Sequence, residues 1–465
     1  MDYAQPKLEF IPPQFNLLVT KIVHYSLRFI VRFRVNSSLM AGVTEIETEN
    51  VETLVKLYSQ FQAKKIRLII AVRHSELEDP FLTLYLISRI VPRKARQMGL
   101  NLQGTVHSHF VYDRGIALWG GKWLGWLFSK MGGIPVRRGK SRDLKAMRIL
   151  REISSDGKFP LGLAPEGGIN GYGELVSALE PGTAQLGFWC AEDLQKADRQ
   201  EEVYILPLGI QYTYLNPSWD IIDNLLSQLE AKSGLKSDLQ KSNFQEIEKF
   251  YYQRLLNLSE HLLEKMEDFY TRFYHCKLAK PNLEETVIPN QILIARLHVL
   301  LDNALKVAEE YFAIKSRGTL IERCRTIEEA GWNYIYREDI SDFKSISEVE
   351  RNLANWVARE AKMRMQHMSL VEHFVHVTGN YILEKPSFDR FAETTLILSS
   401  FISKLEGEKA PYRPQLAKRK AKLTVAEPIS VTQRLPAYQE SRRAAKQAAI
   451  DLTEDIKAAL KNTIS

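Results

Sequence analysis

The sequence predicts an α/β core whose chain is interrupted by a long helical stretch. Short apolar runs bounded by turn residues, at 66–72, 132–136, 161–164 and 203–210, are separated by a segment of helical period near Leu144, Met147, Ile149 and Leu150. Beyond Tyr214 strand signals become sparse and charged amphipathic stretches take over. Strand character then returns at 421–426, ahead of Pro428 and Ile429.

At the N-terminus Leu18, Ile22, Tyr25, Phe29 and Phe33 recur at helical spacing, with Lys21, Arg28 and Arg32 between them. A bilayer span needs about 20 apolar residues, and the cations break this one. No small-residue cleavage site follows a clean apolar core, so the segment does not read as a secretory signal. Two readings fit: a helix lying in a membrane interface, or a core helix of the domain. The run from Leu118 to Phe128, with Trp119, Trp123, Trp126 and Lys122 among apolar residues, offers the same pair of readings.

The strand at 66–72 runs into Arg73-His74-Ser75-Glu76-Leu77-Glu78-Asp79-Pro80. Asp79 followed by Pro80 reads as a helix start, because a carboxylate caps free amides and proline fits the first helical turn. His74 then stands just past a strand end. A carboxylate at Asp79 can bond one imidazole nitrogen, fix the tautomer, and leave the other nitrogen to take a proton from an alcohol.

The strand at 132–136 ends in Arg137, Arg138, Lys140 and Arg142, cations that either gather a phosphate or form a basic loop facing solvent or anionic lipid. The next strand enters a turn, Pro165-Glu166-Gly167-Gly168, and the run at 203–210 contains Pro207. In the helical stretch Leu255, Leu258, Leu262, Met266, Phe269 and Phe273 make one stripe. Ile294, Leu297, Leu301, Leu305, Ala308 and Phe312 make another, and Pro281 and Pro289 lie between them, which predicts an antiparallel pair. More helices follow through Trp356, Phe374 and Phe391.

A chain of 465 residues with 45% hydrophobic content has enough apolar side chains for a large core and divides into domains or carries an insertion. The net charge of +7 favours an anionic surface. No helix-turn-helix, zinc-finger spacing or aromatic-basic signature supports nucleic acid. Cys190, Cys276 and Cys324 are too scattered for a disulfide framework or a zinc site and read as core thiols of a reducing compartment. His107 with His109, and His373 with His376, read as ordinary polar residues before metal ligands, and the basic segment with Arg442, Arg443, Lys446, Lys457 and Lys461 as a solvated or membrane-facing helix.

Taken in order, His74-x4-Asp79, Gly132-Gly133-Ile134-Pro135-Val136-Arg137-Arg138, Pro165-Glu166-Gly167 and the strand with Pro207 resemble the four blocks of the glycerophospholipid acyltransferase family, typified by enzymes that acylate 1-acylglycerol 3-phosphate. The resemblance implies a mixed sheet flanked by helices. It assigns His74 as general base, Asp79 as its partner, Arg138 as the phosphate ligand, Glu166 and Gly167 to acceptor binding, and Pro207 to the donor side. Arg137 and Lys140 stand beside Arg138 as further phosphate candidates. No acyl-enzyme forms in this family, so no nucleophilic serine or cysteine is needed. Ile169 and Asn170 stand where the family commonly has an arginine, and Ala164 replaces an aromatic residue.

The strand near 421–426 resembles the last strand of the family core, which makes the helical stretch an insertion. The expected organisation is an N-terminal membrane-interface region (1–60), an acyltransferase core (61–215), a helical insertion (216–416), and a last core strand with a basic helix (417–465). The insertion shapes an acyl tunnel, covers the site, binds an acyl-carrier partner, makes an oligomer, or is a plain bundle. The implied activity is phospholipid biosynthesis at a cytoplasmic membrane face: acyl transfer from acyl-coenzyme A or acyl carrier protein to a lysophospholipid, first of all lysophosphatidate, with no resident cofactor or metal. Acylation of a neutral alcohol or glycolipid is the alternative within the class. Outside it stands a non-catalytic protein that binds acyl lipid or scaffolds membrane enzymes.

Overall fold

The computed structural model describes residues 3–32, 42–116, 120–137, 143–236, 238–279, 289–340, 342–407 and 414–464. The chain divides into two compact units. One, drawn from residues 11–136, 142–217 and 413–465, holds a mixed sheet flanked by helices. The other takes in the first ten residues, Arg137 and the stretch from Ser218 to Tyr412, and is helical.

The sheet comprises β1 (Glu45–Glu49), β2 (Ile66–Val72), β3 (His109–Asp113), β4 (Gly133–Val136), β5 (Leu161–Leu163), β6 (Glu202–Leu215), β7 (Lys418–Val425) and the short β8 (Ile429–Ser430). Its order is β1-β7-β6-β2-β5-β3-β4, with β8 antiparallel on β6. Strand β2 runs parallel to both β5 and β6, while β7 is antiparallel to β6 and parallel to β1.

Every residue of β2 is buried, which explains why it reads as an unbroken apolar run and not as an alternation. Successive side chains point to opposite faces. Ile66, Leu68, Ile70 and Val72 join Leu54, Val55 and Tyr58 of α2 (Val51–Gln62) in one core, whereas Ile69 and Ala71 join Phe188 and Ala191 of a helix at Gly182–Lys196 in the other. Each such aliphatic side chain contributes roughly 1.5–3 kcal/mol of transfer free energy, so the end of β2 is a rigid place to mount a side chain.

Helix α1 (Leu17–Arg32) buries Thr20, His24, Leu27 and Val31 and exposes Leu17, Leu18, Ile22, Tyr25 and Phe29. Helix α3 (Asp79–Tyr85) follows the loop after β2, and α4 (Lys122–Lys130) precedes β4. Residues 1–60 do not stand as a region of their own. The strand β1 and helix α2 belong to the sheet unit, while Ala4 N donates to Asn355 Oδ1 (2.9 Å) and Gln5 pairs with Tyr336, both in the helical unit.

In the helical unit, α5 (Ile247–Tyr274) buries Leu255 and Leu258 as the stripe predicts, but Phe269 and Phe273 are exposed and Tyr270 turns inward in their place, its hydroxyl on His367 Nδ1 (2.7 Å). A strict stripe drifts around a straight helix of 28 residues, and the buried face follows the neighbours. Helix α6 (Pro289–Tyr311) buries Leu301, Leu305 and Ala308, and Phe312 is buried just beyond its end; Pro281 lies outside the described residues.

Back in the sheet unit, the C-terminal helix α7 (Arg442–Asn462) is not merely a solvated basic segment. Leu452, Ile456 and Leu460 are fully buried in the core shared with Ile69 and Phe188, and the cations occupy the opposite face. Cys190 and Cys324 are buried, while Cys276 is only half-buried.

Candidate active site

The site begins one residue past β2. Arg73 N still donates to Leu208 O (2.9 Å), so the ladder with β6 runs on, and the Arg73 side chain is fully buried. A buried guanidinium is tolerated only where acceptors surround it. Here Nη1 donates to Ile210 O (2.6 Å) and Nη2 to Tyr172 O (2.6 Å) and Leu175 O (3.0 Å). The cation ties the end of β2 to β6 and to the loop after β5, and His74 emerges from this anchored point with a fifth of its side chain exposed.

Asp79 is not the cap of α3. It is the first helical residue, behind Glu78, and its carboxylate turns back to the preceding loop. Oδ2 accepts from Glu76 N (2.8 Å) and stands 3.3 Å from His74 Nδ1. Oδ1 accepts from the Tyr212 hydroxyl. Asp79 is almost wholly buried, donors meet both of its carboxylate oxygens, and the contact at Nδ1 leaves His74 Nε2 as the other ring nitrogen.

Glu166 holds the same loop from the other side. Its Oε1 accepts from His74 N (2.9 Å), and Oε2 from Ser177 N (3.0 Å) and Asn170 Nδ2 (3.1 Å). The carboxylate is buried and works on the backbone of His74, a role different from the acceptor contact that the resemblance implies. Asn170, which stands at the place of the family's arginine, is spent on Glu166, Leu175 O and Ser177 Oγ. Gly167 has φ +67°, and a β-carbon there would lie 2.3 Å from Glu180 Oε1, so the turn needs glycine.

Behind Asp79 lies a group that sequence reasoning missed. The Arg419 guanidinium of β7 sits over the Tyr212 ring (4.7 Å), donates to Glu78 Oε1 (2.7 Å) and reaches Glu76 Oε1 (3.4 Å), all four side chains being buried. Burial works against the Arg419 charge, but Glu76 and Glu78 outweigh it and hold the pKa above its ordinary value. Burial, reinforced by the Asp79 and Glu78 charges, pushes the Tyr212 hydroxyl well above its ordinary pKa, so it remains a donor.

Of the other expected residues, Arg137 is bonded within the helical unit. Its Nη2 donates to Asn333 Oδ1 (2.6 Å) and Nη1 lies 3.7 Å from Glu338, which commits the guanidinium there. Arg138, Lys140 and Arg142 lie outside the described residues. Pro207 is buried in mid-strand, where its carbonyl accepts from Ala426 N (3.0 Å).

His107 and His109 turn inward, to Met131 O (2.8 Å) and Gly132 O (2.9 Å), and His24 of α1 meets His107 ring to ring (3.0 Å). His373 faces Ser369 O (3.0 Å) and Ser400 Oγ (3.3 Å).

A family model described as Acyltransferase matches residues 46–211, the segment that contains His74, Asp79, Arg138, Glu166, Gly167 and Pro207. No curated protein matches the chain. Over residues 46–211 the chain is thus similar to the acyltransferase family, that of the glycerophospholipid acyltransferases.

Proposed function

We propose that the chain transfers a fatty acyl group from an acyl thioester to a glycerol hydroxyl, with lysophosphatidate as acceptor and His74 as general base. One observation supports this above the rest: a partly exposed imidazole whose Nδ1 faces a buried carboxylate held by two further donors. Nε2 takes the hydroxyl proton as the oxygen attacks the thioester carbonyl. The tetrahedral oxyanion collapses, the carbon–sulfur bond breaks, and the imidazolium returns the proton to the leaving thiolate. The buried Asp79 stabilises the imidazolium between these two transfers. Arg138 holds the acceptor's phosphate, and Pro207 lies on the donor side. Acyl-coenzyme A or acyl carrier protein is co-substrate, and no resident cofactor takes part.

The enzyme works as a peripheral protein at a cytoplasmic membrane face. No helix among the described residues is long and apolar enough to cross a membrane. On α1, however, Leu18, Ile22, Tyr25 and Phe29 point outward with Lys21 and Arg28 close by in sequence, and Trp123 and Trp126 are exposed on α4, whose Leu127 packs with Val23 and Leu27 of α1. Apolar and aromatic side chains beside cations suit the headgroup boundary.

The test is thiol release from palmitoyl-coenzyme A with lysophosphatidate in vesicles. His74→Ala is expected to lose about 100-fold to 10,000-fold in kcat, and Arg138→Ala to raise KM for lysophosphatidate. Full activity in His74→Ala would sink the mechanism. A second reading, acylation of a neutral alcohol or glycolipid, draws on Asn170 standing where a phosphate-binding arginine is common. It prevails if lysophosphatidate is inert while a monoacylglycerol is esterified.

A further inference from the structure

We propose that Tyr212 is a positioning residue for the His74–Asp79 pair, locked in place by Arg419 from the strand that follows the helical unit. The inference rests on the general-base reading above and adds to it two residues outside the matched segment 46–211.

The Asp79 carboxylate has two distinct sides. Oδ2 takes Glu76 N and faces His74, and Oδ1 takes the Tyr212 hydroxyl. A carboxylate bonded through one oxygen alone turns about its terminal bond, whereas donors on both oxygens fix the plane in which His74 Nδ1 must lie. The Tyr212 hydroxyl also draws charge from Asp79, which tempers the basicity that Asp79 lends to His74.

Tyr212 is in turn held by the sheet. It pairs with Ala421 across the β6–β7 ladder, and Arg419 pairs with Tyr214. Arg419 therefore stands diagonally across from Tyr212 on the same face, close enough for its guanidinium to cover the ring. The same guanidinium holds Glu78 and Glu76, which lie in the loop between His74 and Asp79. One cation thus anchors both the tyrosine and the loop that carries the pair. The other charged groups around the loop, Arg73 and Glu166, are engaged with carbonyls and amides.

Tyr212→Phe tests this, since it keeps the ring and removes only the donor. The primary readout is the pKa of the His74 imidazole, followed by NMR in the full chain with labelled histidine and assigned by comparison with His74→Ala. Loss of the hydroxyl leaves more charge on Asp79, so the His74 pKa is expected to rise by about half a unit to one unit. In the palmitoyl-coenzyme A and lysophosphatidate assay, kcat is expected to fall about tenfold to a hundredfold. That is the range a charge-assisted hydrogen bond commands, with KM held and the acid limb of kcat/KM moved upward.

An unmoved His74 pKa overturns the proposal, whether or not kcat falls, because a merely structural tyrosine would lower stability and leave that pKa alone. Should Tyr212→Phe fail to fold, Arg419→Lys is read in the same way: it keeps the charge and loses the fork. A His74→Ala variant with full activity would instead defeat the general-base reading. A moved His74 pKa would still stand in that case, so the two failures are distinguishable.

Discussion

Gly167 shows how tightly single positions are set in this molecule. Alanine there must adopt a left-handed conformation and place its β-carbon against the Glu180 carboxylate, beside the glutamate that holds His74. Gly167→Ala is expected to cost about 1–3 kcal/mol, read from the urea midpoint. The paired imidazoles of His24 and His107 give a pH dependence. His107 donates from Nε2 to Met131 O, so its Nδ1 accepts from His24 Nε2 and both rings are neutral. Burial depresses the pKa of His24 to about 4, with Arg89 adding to the effect, and that of His107 to about 3. The unfolded chain takes up these protons near the ordinary value of 6.5 and the folded chain does so only below. Their contribution is therefore full above pH 6.5 and is lost as pH falls toward 4 and 3, with a slope of at most about 1.4 kcal/mol per unit for each ring. His107→Gln is expected to flatten that slope in denaturation curves collected from pH 7 to pH 4.

At the scale of elements, α1 makes the clearest prediction. Its inward face carries His24 and Leu27, and its outward face Leu18 and Phe29. Leu18→Ser with Phe29→Ser is expected to lower co-sedimentation with anionic vesicles by tenfold or more, on the basis of about 1.5–3 kcal/mol for each apolar side chain buried, without lowering Tm. Unchanged vesicle binding would remove α1 from the interface. Elements were also where the sequence was most legible. The run 66–72 announces a buried strand and Asp79-Pro80 a helix start, so the approach of His74 to Asp79 was legible in the local pattern, while the role given to the pair came from the ordered blocks of the resemblance. The partners of that pair were not. Tyr212 is 133 positions from Asp79, and Arg419 is 341 from Glu78. Neither pairing leaves a trace in periodicity, because register between distant strands is decided by packing. Phe269 and Phe273 fail for the complementary reason: their spacing is right for a stripe, but the neighbours that would bury them are not where the stripe points.

For the whole molecule, the decisive fact is the place of β7 between β1 and β6. It is an interior strand, and β1 pairs with it alone among the described residues. A chain ended at Tyr412 is expected to leave β6 with an open edge and β1 without a ladder. Such a chain should give an aggregating product without thermal cooperativity, and a soluble, cooperatively melting core from it would contradict this account. The same order of strands sets a timetable during synthesis. About 200 residues separate the end of β6 from the start of β7. At ~5–20 residues per second the ribosome spends roughly 10–40 s on that stretch, while five sheet strands, β2 to β6, wait for β7, which joins β1 to them. The nascent chain therefore has His74 and Asp79 early and Arg419 late. It passes through a period in which the edge of β6 that β7 will cover stays unpaired, and Arg419 arrives only in the last tenth of translation.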